Sequence, residues 1–262
     1  MSHCRIILRQ WDAFIKNFFM KNPFMEGSTD MSSEKYQIIF ATGNQGKIRE
    51  IKAIVEENKN RPVPDSQAEA GEAVPEIEVL SMKEAGVEAD PDETGQTFEE
   101  NALIKARAVY DLLLSRPAPE GTVRIVMSDD SGLVIDALDG APGVHSARYM
   151  GYDTDYRLRM EHILDLMKDV PEEKRTARFV AAVAAVLPDG TSKVVRGAME
   201  GRIGYSIAGE NGFGYDPLFY LPQYGRTSAE ISPEEKNRIS HRGQALRKMM
   251  ALLGLYEGEI NT

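Results

Sequence analysis

From Gln37 onward the chain alternates between two hydrophobic periods. Residues 38–41 form a short apolar run of the kind that becomes a buried strand, and the polar stretch Thr42-Gly43-Asn44 follows it. Behind that stretch Ile48, Ile51, Ile54 and Val55 fall on one face of a helix. Residues 58–76, rich in Pro, Glu and Ala and without a period, read as a surface excursion. Thr97-Phe98-Glu99-Glu100 is a Thr-x-x-Glu capping box and predicts a helix to about Leu114. Residues 123–127 predict another buried strand, ending in Asp129-Asp130-Ser131-Gly132. Tyr156, Met160, Ile163, Leu164 and Met167 mark a third helix behind Asp153.

The later half has a different rhythm. Residues 179–187 and 192–199 flank Pro188-Asp189-Gly190, a hairpin signal. Ser232-Pro233-Glu234-Glu235 is a second capping box, with Pro at the first helical position. Ser240 caps a final helix carrying Ala245, Leu246, Met249, Leu252 and Leu253. Early strand–helix alternation followed by a late hairpin predicts an α/β fold. Its mixed, twisted sheet is flanked by helices in two lobes, with a substrate cleft between them.

Residues 1–30 stand apart. Trp11, Phe14, Ile15, Phe18 and Phe19 make one apolar helical stripe, and few acids accompany them. The segment reads as an appended or mis-started extension, since Met31 follows Ser28-Thr29-Asp30. A targeting peptide and a docking helix are the other readings. The expected division is an extension over 1–33, a two-lobed domain over 34–256 and a tail over 257–262.

Composition narrows the function. The 262 residues carry 31 Lys and Arg against 41 Asp and Glu, a net charge of −10, which disfavours a nucleic acid as main partner. A small phosphorylated ligand needs only a local cluster of cations. No apolar run reaches the roughly 20 residues of a membrane-spanning helix, so no membrane partner is expected. Cys4 is the only cysteine, and His3, His145, His162 and His241 are scattered. Any catalytic metal is therefore expected on oxygen ligands, as suits magnesium, with manganese as a substitute. The same cysteine usage points to a reducing, cytoplasmic compartment.

Three clusters could carry chemistry. Thr42-Gly43-Asn44-Gln45-Gly46-Lys47 lies between a strand and a helix, where exposed backbone N–H groups make an anion site. It is not a Walker A loop, and an Asn44-capped turn with a solvated Lys47 is the plain alternative. Asp129-Asp130 reads either as turn chemistry or as part of a metal site with Asp92, Glu93, Glu99 and Glu100. Side chains alternate along a strand, so only one of the two aspartates need face the cleft. The third cluster is Phe213-Gly214-Tyr215-Asp216-Pro217, Lys236 and Ser240-His241-Arg242-Gly243. Cations in the first turn of a helix oppose its dipole, so a bound anion or a carbonyl-rich base would compensate; two solvated basic residues are the alternative.

Taken together, the motifs resemble the inosine/xanthosine triphosphate pyrophosphatase family. The matching pieces are Ala41-Thr42-Gly43-Asn44 with Lys47 and Glu50, Glu93-Thr94-Gly95 with Thr97-Phe98 and Glu100-Asn101-Ala102, and Asp129 to Leu133. They continue with Gly140 to Val144, Ser146-Ala147-Arg148-Tyr149, Gly212 to Phe219, Thr227-Ser228-Ala229-Glu230 and Lys236 to Gly243. Eight pieces in order are far more specific than any one. Residues 1–30 have no counterpart in the family pattern, and the Lys59–Pro75 excursion is longer than the family's usual connection.

The resemblance implies hydrolysis of ITP, dITP or XTP between the α and β phosphates, with magnesium, by a homodimer. By that analogy Asp130 is the general base and a metal-associated carboxylate, and Glu93 is a second metal ligand. Thr42, Gly43, Asn44, Gln45, Gly46, Lys47 and Ser131 would hold phosphates, with Lys47 neutralising the leaving group. Phe213, Gly214, Tyr215, Asp216, Lys236, His241 and Arg242 would read the base. Hypoxanthine and xanthine carry a 6-keto acceptor where adenine has an amino donor. A donor left unpaired against adenine costs about 1–3 kcal/mol, enough for roughly ten- to hundredfold discrimination. The competing readings are a pyrophosphatase for modified pyrimidine nucleotides and a non-catalytic nucleotide sensor.

Overall fold

The structure, a computed structural model, describes residues 35–59 and 75–255. The expectations for the extension, the tail and most of the 58–76 excursion lie outside those residues.

A seven-stranded mixed sheet organises the chain, in the order β2-β1-β3-β4-β5-β6-β7. Strand β1 (Lys35–Phe40) runs parallel to β2 (Glu76–Ser81) on one side and to β3 (Thr122–Ile135) on the other. From β3 the pairing turns antiparallel, through β4 (Thr176–Val186) and β5 (Ser192–Ile203). Two short strands, β6 (Phe219–Leu221) and β7 (Arg226–Thr227), complete the sheet. The predicted hairpin is the β4–β5 pair. Strand β2 was not predicted, although Glu76-Ile77-Glu78 alternates as a half-buried strand does: Ile77 is buried and both glutamates are exposed.

The helices are α1 (Gln45–Lys59), α2 (Phe98–Leu113), α3 (Tyr156–Leu166), α4 (Pro233–Ile239) and α5 (His241–Leu252). Both predicted capping boxes form, at Thr97 with Glu100 and at Ser232 with Glu235. Ser240 Oγ accepts from Gly243 N at 3.0 Å and opens α5. The cap of α3 is Asp155 rather than Asp153: its side chain accepts from Arg157 N at 2.7 Å.

The long strands β3 and β4 contribute to several hydrophobic clusters, two of them toward opposite ends of the strands. At one end Ile125, Met127 and Val183 pack with Ile38, Phe40, Ile51, Ile54 and Met249. At the other, Leu133, Ile135 and Phe179 pack with Ile163, Leu218 and Phe219. Helix α2 lies on β4 through Ala102 and Ala106 against Val180, Ala182 and Ala184, and the small side chains allow a close approach.

The acidic pair is not where the sequence suggested. Strand β3 does not end at Asp129 but continues to Ile135, with Asp129 opposite Val183, Asp130 opposite Ala182 and Ser131 opposite Ala181. Polar side chains are tolerated in mid-sheet because cations from distant elements meet them, as described next.

Candidate active site

The start of α1 is built by its own side chains. Asn44 Oδ1 accepts from Lys47 N at 3.1 Å, and Thr42 Oγ1 accepts from Asn44 N at 3.2 Å. Lys47 is not solvated: its Nζ lies 3.2 Å from Asp129 Oδ2. Burial lowers the Lys47 pKa. Burial also works to raise that of Asp129, but Lys47 and Arg242 outweigh it and hold the carboxyl well below the usual range.

Asp129 and Asp130 point to opposite sides of β3, as strand alternation requires. Asp129 Oδ2 accepts from Arg242 Nε and Nη2, each at 3.1 Å. Asp130 faces the other way, with Oδ1 2.6 Å from Lys105 Nζ. The same ammonium lies 2.7 Å from Glu93 Oε1, and Arg148 Nη1 lies 2.8 Å from Glu93 Oε2. Burial raises the Asp130 pKa against the pull of Lys105 and Lys47. For Glu93, burial acts upward too, but Lys105 and Arg148 prevail and the net direction is down.

The other side of the cleft is a second ion network. Lys236 Nζ donates to Asp216 Oδ2 at 2.6 Å and to Glu50 Oε1 at 3.0 Å. Arg242 Nη1 donates to Glu50 Oε2, and Arg242 Nη2 donates to Ser131 Oγ at 3.0 Å. Asp216 also accepts from Phe213 N at 2.8 Å and from Ser228 Oγ at 2.9 Å, which fixes the turn carrying Phe213. The Phe213 ring centroid is 5.2 Å from Lys236 Nζ and 5.6 Å from Arg242 Cζ. His241 stacks on Phe179 at 5.0 Å, and burial with neighbouring cations keeps it neutral. The helix-dipole mismatch at the start of α5 is thus met inside the protein: Glu50 and Asp129 neutralise Arg242, and His241 carries no charge.

Most of these residues line one cavity of about 720 Å³, to which Glu50, Asp129 and Ser228 do not contribute. Of the predicted positions, Thr42, Gly43, Asn44, Lys47, Glu93, Asp130, Ser131, Phe213, Gly214, Tyr215, Asp216, Lys236, His241 and Arg242 all reach it. Gln45 and Gly46 do not line it. They begin α1, and a Cβ at Gly46 would stand 3.2 Å from the Phe213 ring, so Gly46 seats that ring instead. Of the upstream acids Asp92 and Glu93 line the cavity, and Glu93 meets Asp130 through Lys105 Nζ. Glu100 closes its capping box, and Glu99 pairs with Arg196 at 3.4 Å.

Sequence reasoning missed Lys105, and it treated Arg148 and Glu50 only as parts of motifs. Lys105 lies four residues beyond buried Asn101, on the α2 face that meets β3 and β4. That spacing was available, but a single lysine on an amphipathic helix looks like a solvated one.

The Ham1 family model matches residues 38–252. The chain belongs to the Ham1 family. A dITP/XTP pyrophosphatase of Exiguobacterium sibiricum is 42% identical over 223 residues, covering 85% of this chain and 100% of that protein. One from Geobacillus kaustophilus is 44% identical over 213 residues, covering 81% and 92%. Among solved structures, the Staphylococcus aureus Ham1 protein superposes with a TM-score of 0.65 at 35% identity, covering 83% of this chain and 97% of that one.

The donor set of this Ham1 chain suits a hard cation. Among the described residues no group of three or more His, Cys, Asp or Glu side chains converges. Two carboxylates do, on Lys105 Nζ, and the buried Oδ2 of Asp130 has no partner. Magnesium is commonly held by one or two carboxylates together with substrate phosphates, so Glu93 and Asp130 fit it.

Proposed function

We propose that this Ham1 chain hydrolyses non-standard purine nucleoside triphosphates (dITP, ITP and XTP) to the monophosphate and pyrophosphate. One observation carries the reading. A single cavity joins the polar start of α1, the Glu93–Asp130 carboxylates and a donor-rich aromatic pocket around Phe213, Lys236 and Arg242. A triphosphate, its metal and a purine need those surfaces in that combination. The names of the relatives agree with it.

Asp130 takes the proton of the attacking water. Its raised pKa makes it a stronger base than an exposed aspartate. The new bond forms to the α phosphorus, the bridging P–O bond breaks, and pyrophosphate leaves with that electron pair. Lys47 and the backbone N–H groups around Asn44 meet the charge that builds on the leaving group. Lys105 holds Asp130 and Glu93 in place. Glu93 and Asp130 would hold magnesium, with manganese as a substitute, and the metal would supply Lewis-acid stabilisation of the phosphate charge.

The base is read by donors that the protein has left over. A lysine ammonium has three donors, and Lys236 uses two on Asp216 and Glu50. Arginine has five, and Arg242 makes four hydrogen bonds to Asp129, Glu50 and Ser131. One donor on each is free for a 6-keto group. A buried donor facing the adenine amino group stays unpaired, which sets the preference.

We also infer a cytoplasmic homodimer, from cysteine usage for the compartment and from the family resemblance for the dimer. Among the described residues no helix is long and apolar enough to cross a membrane.

The test is pyrophosphate release from ITP, XTP, dITP, GTP, ATP and dUTP, with and without magnesium. Release from the first three, dependent on the metal, is the expected result. Preference for pyrimidine nucleotides, or binding without turnover, would replace this reading with the corresponding alternative.

A further inference from the structure

Arg159, on the second turn of α3, is buried with 1% of its surface exposed. Among the described residues no carboxylate pairs with it. Its guanidinium is instead wrapped by main-chain carbonyls. Nη1 donates to Ala147 O at 2.8 Å and Ser146 O at 3.4 Å, and Nη2 donates to Gly151 O at 2.8 Å and Tyr152 O at 3.3 Å. The Tyr156 ring lies beneath, with its centroid 4.7 Å from Cζ. The loop between these carbonyls is bent sharply: Met150 has φ 64° and Gly151 φ 108°. A non-glycine residue holds such a backbone only when its surroundings fix it. The Arg159 fork clasps the loop on both sides of that bend.

That loop carries Arg148, whose Nη1 sits 2.8 Å from Glu93 Oε2. We propose that Arg159 is a positioning residue for the hydrolysis: by holding the backbone of residues 146–152 it sets Arg148, and through Arg148 the Glu93 carboxylate. The inference rests on the proposed function for its chemistry. The base-reading turn touches the clasped loop where the Tyr215 hydroxyl donates to Ser146 O at 3.0 Å, but its main anchor lies elsewhere. Asp216 anchors it through Phe213 N, Ser228 Oγ and Lys236 Nζ. A loosened clasp should therefore lower kcat more than it raises KM.

The test compares wild type, Arg159→Lys, Arg148→Ala and the double variant, by pyrophosphate release from ITP with magnesium. Lysine keeps the charge but not the planar fork that reaches carbonyls on both sides. Arg159→Lys should lower kcat about 10- to 100-fold, with KM changed less than about threefold. It should add almost nothing in the Arg148→Ala background, because both changes act on the same contact. In the metal-free enzyme, trypsin should cleave after Arg148 faster in Arg159→Lys than in wild type. If Arg159→Lys does not fold, Gly151→Ala loads the same loop from its other end and leaves α3 intact. The same kcat loss and the same masking by Arg148→Ala are then expected.

Losses that multiply in the double variant, a loss confined to KM, or unchanged cleavage would overturn the proposal. Should the wild-type protein release pyrophosphate from no triphosphate, the proposed function is what fails. The trypsin comparison then still decides whether Arg159 clasps the loop.

Discussion

Lys105 Nζ lies 2.6 Å from Asp130 Oδ1, an ion pair between the middle of α2 and the middle of β3. The helix comes close enough because Ala102 and Ala106 meet Ala182 and Ala184 of β4 beside it. The Ser128 hydroxyl adds a buried hydrogen bond to Ala102 O. The same ammonium reaches Glu93, so one cation fixes the spacing of both carboxylates. Helix packing thereby sets the geometry of the acidic side of the cleft.

Asp130→Asn should therefore remove the base without dismantling the site. The amide keeps an oxygen for Lys105 but cannot take a proton from water. Turnover of ITP should fall about 10²- to 10⁴-fold while circular dichroism and thermal unfolding show a folded protein. A variant retaining more than about half of wild-type turnover would remove Asp130 from the base role.

Much of this arrangement was legible in the sequence, and the rest was hidden for identifiable reasons. Capping boxes at Thr97 and Ser232 are local, so the chain states them outright. The depth of the acidic pair was not visible. Two aspartates in a row look like a turn until Lys47 and Arg242, which approach from far before and far after in the chain, are known to neutralise Asp129. Arg242 was legible as a cleft residue, but its carboxylate partners were not. Glu50 lies on α1, almost the whole domain away in sequence. Lys105 and Arg159 are cations on amphipathic helices that also carry Arg107 and Arg157, and nothing in their sequence neighbourhood separates a buried cation from a solvated one. Strand β2 followed an aperiodic segment that drew attention away from its own alternation.

Activity should depend on a hard divalent cation and be indifferent to thiol reagents. The two converging carboxylates are hard oxygen donors, and Cys4, the single cysteine, lies outside the matched residues 38–252. Chelator should abolish pyrophosphate release and magnesium should restore it. Full activity in excess chelator, or loss on alkylating Cys4, would contradict the assignment.

Glu84 supplies a pH-dependent contribution to stability. It accepts from Lys52 Nζ at 2.8 Å and from Ser81 N and Oγ, both at 2.8 Å, and these bonds, led by that from Lys52, hold its pKa down to about 2. A carboxylate whose folded pKa is depressed stabilises the fold fully above its unfolded pKa of about 4.3. That contribution disappears as the pH falls through the folded value. The group is about half exposed, with 46% of its side-chain surface accessible, so screening limits the effect to about 0.5–1 kcal/mol. Urea unfolding should show Glu84→Gln less stable than wild type by that amount at about pH 7, with the gap narrowing toward pH ~3. A gap that is constant across that range would mean that the glutamate charge is not involved.

Arg242 pairs with two carboxylates and, in the proposed function, also reads the base, so Arg242→Ala tests both. Its side chain is 1% exposed and neutralises Asp129 and Glu50 from the start of α5. Removing it leaves two buried carboxylates short of a partner, although Lys47 still faces Asp129 and Lys236 still faces Glu50. Breaking a buried pair typically costs about 3–5 kcal/mol, and the remaining lysines place the expected loss near the lower end. Kinetics must therefore be measured below the lowered unfolding transition. There, KM for ITP should rise and the ITP-over-ATP preference should shrink, because a donor that penalises the adenine amino group has gone. The loss for ITP should be about 1.5–3 kcal/mol, the size of one charge-assisted hydrogen bond. Lys47→Ala should behave differently. The Lys47 Nζ lies 3.2 Å from Asp129 beside the start of α1, so its loss should weaken ITP and ATP by a similar factor through the phosphates they share. If Arg242→Ala also slows both nucleotides equally, its free N–H serves phosphate rather than base, and discrimination falls to Lys236.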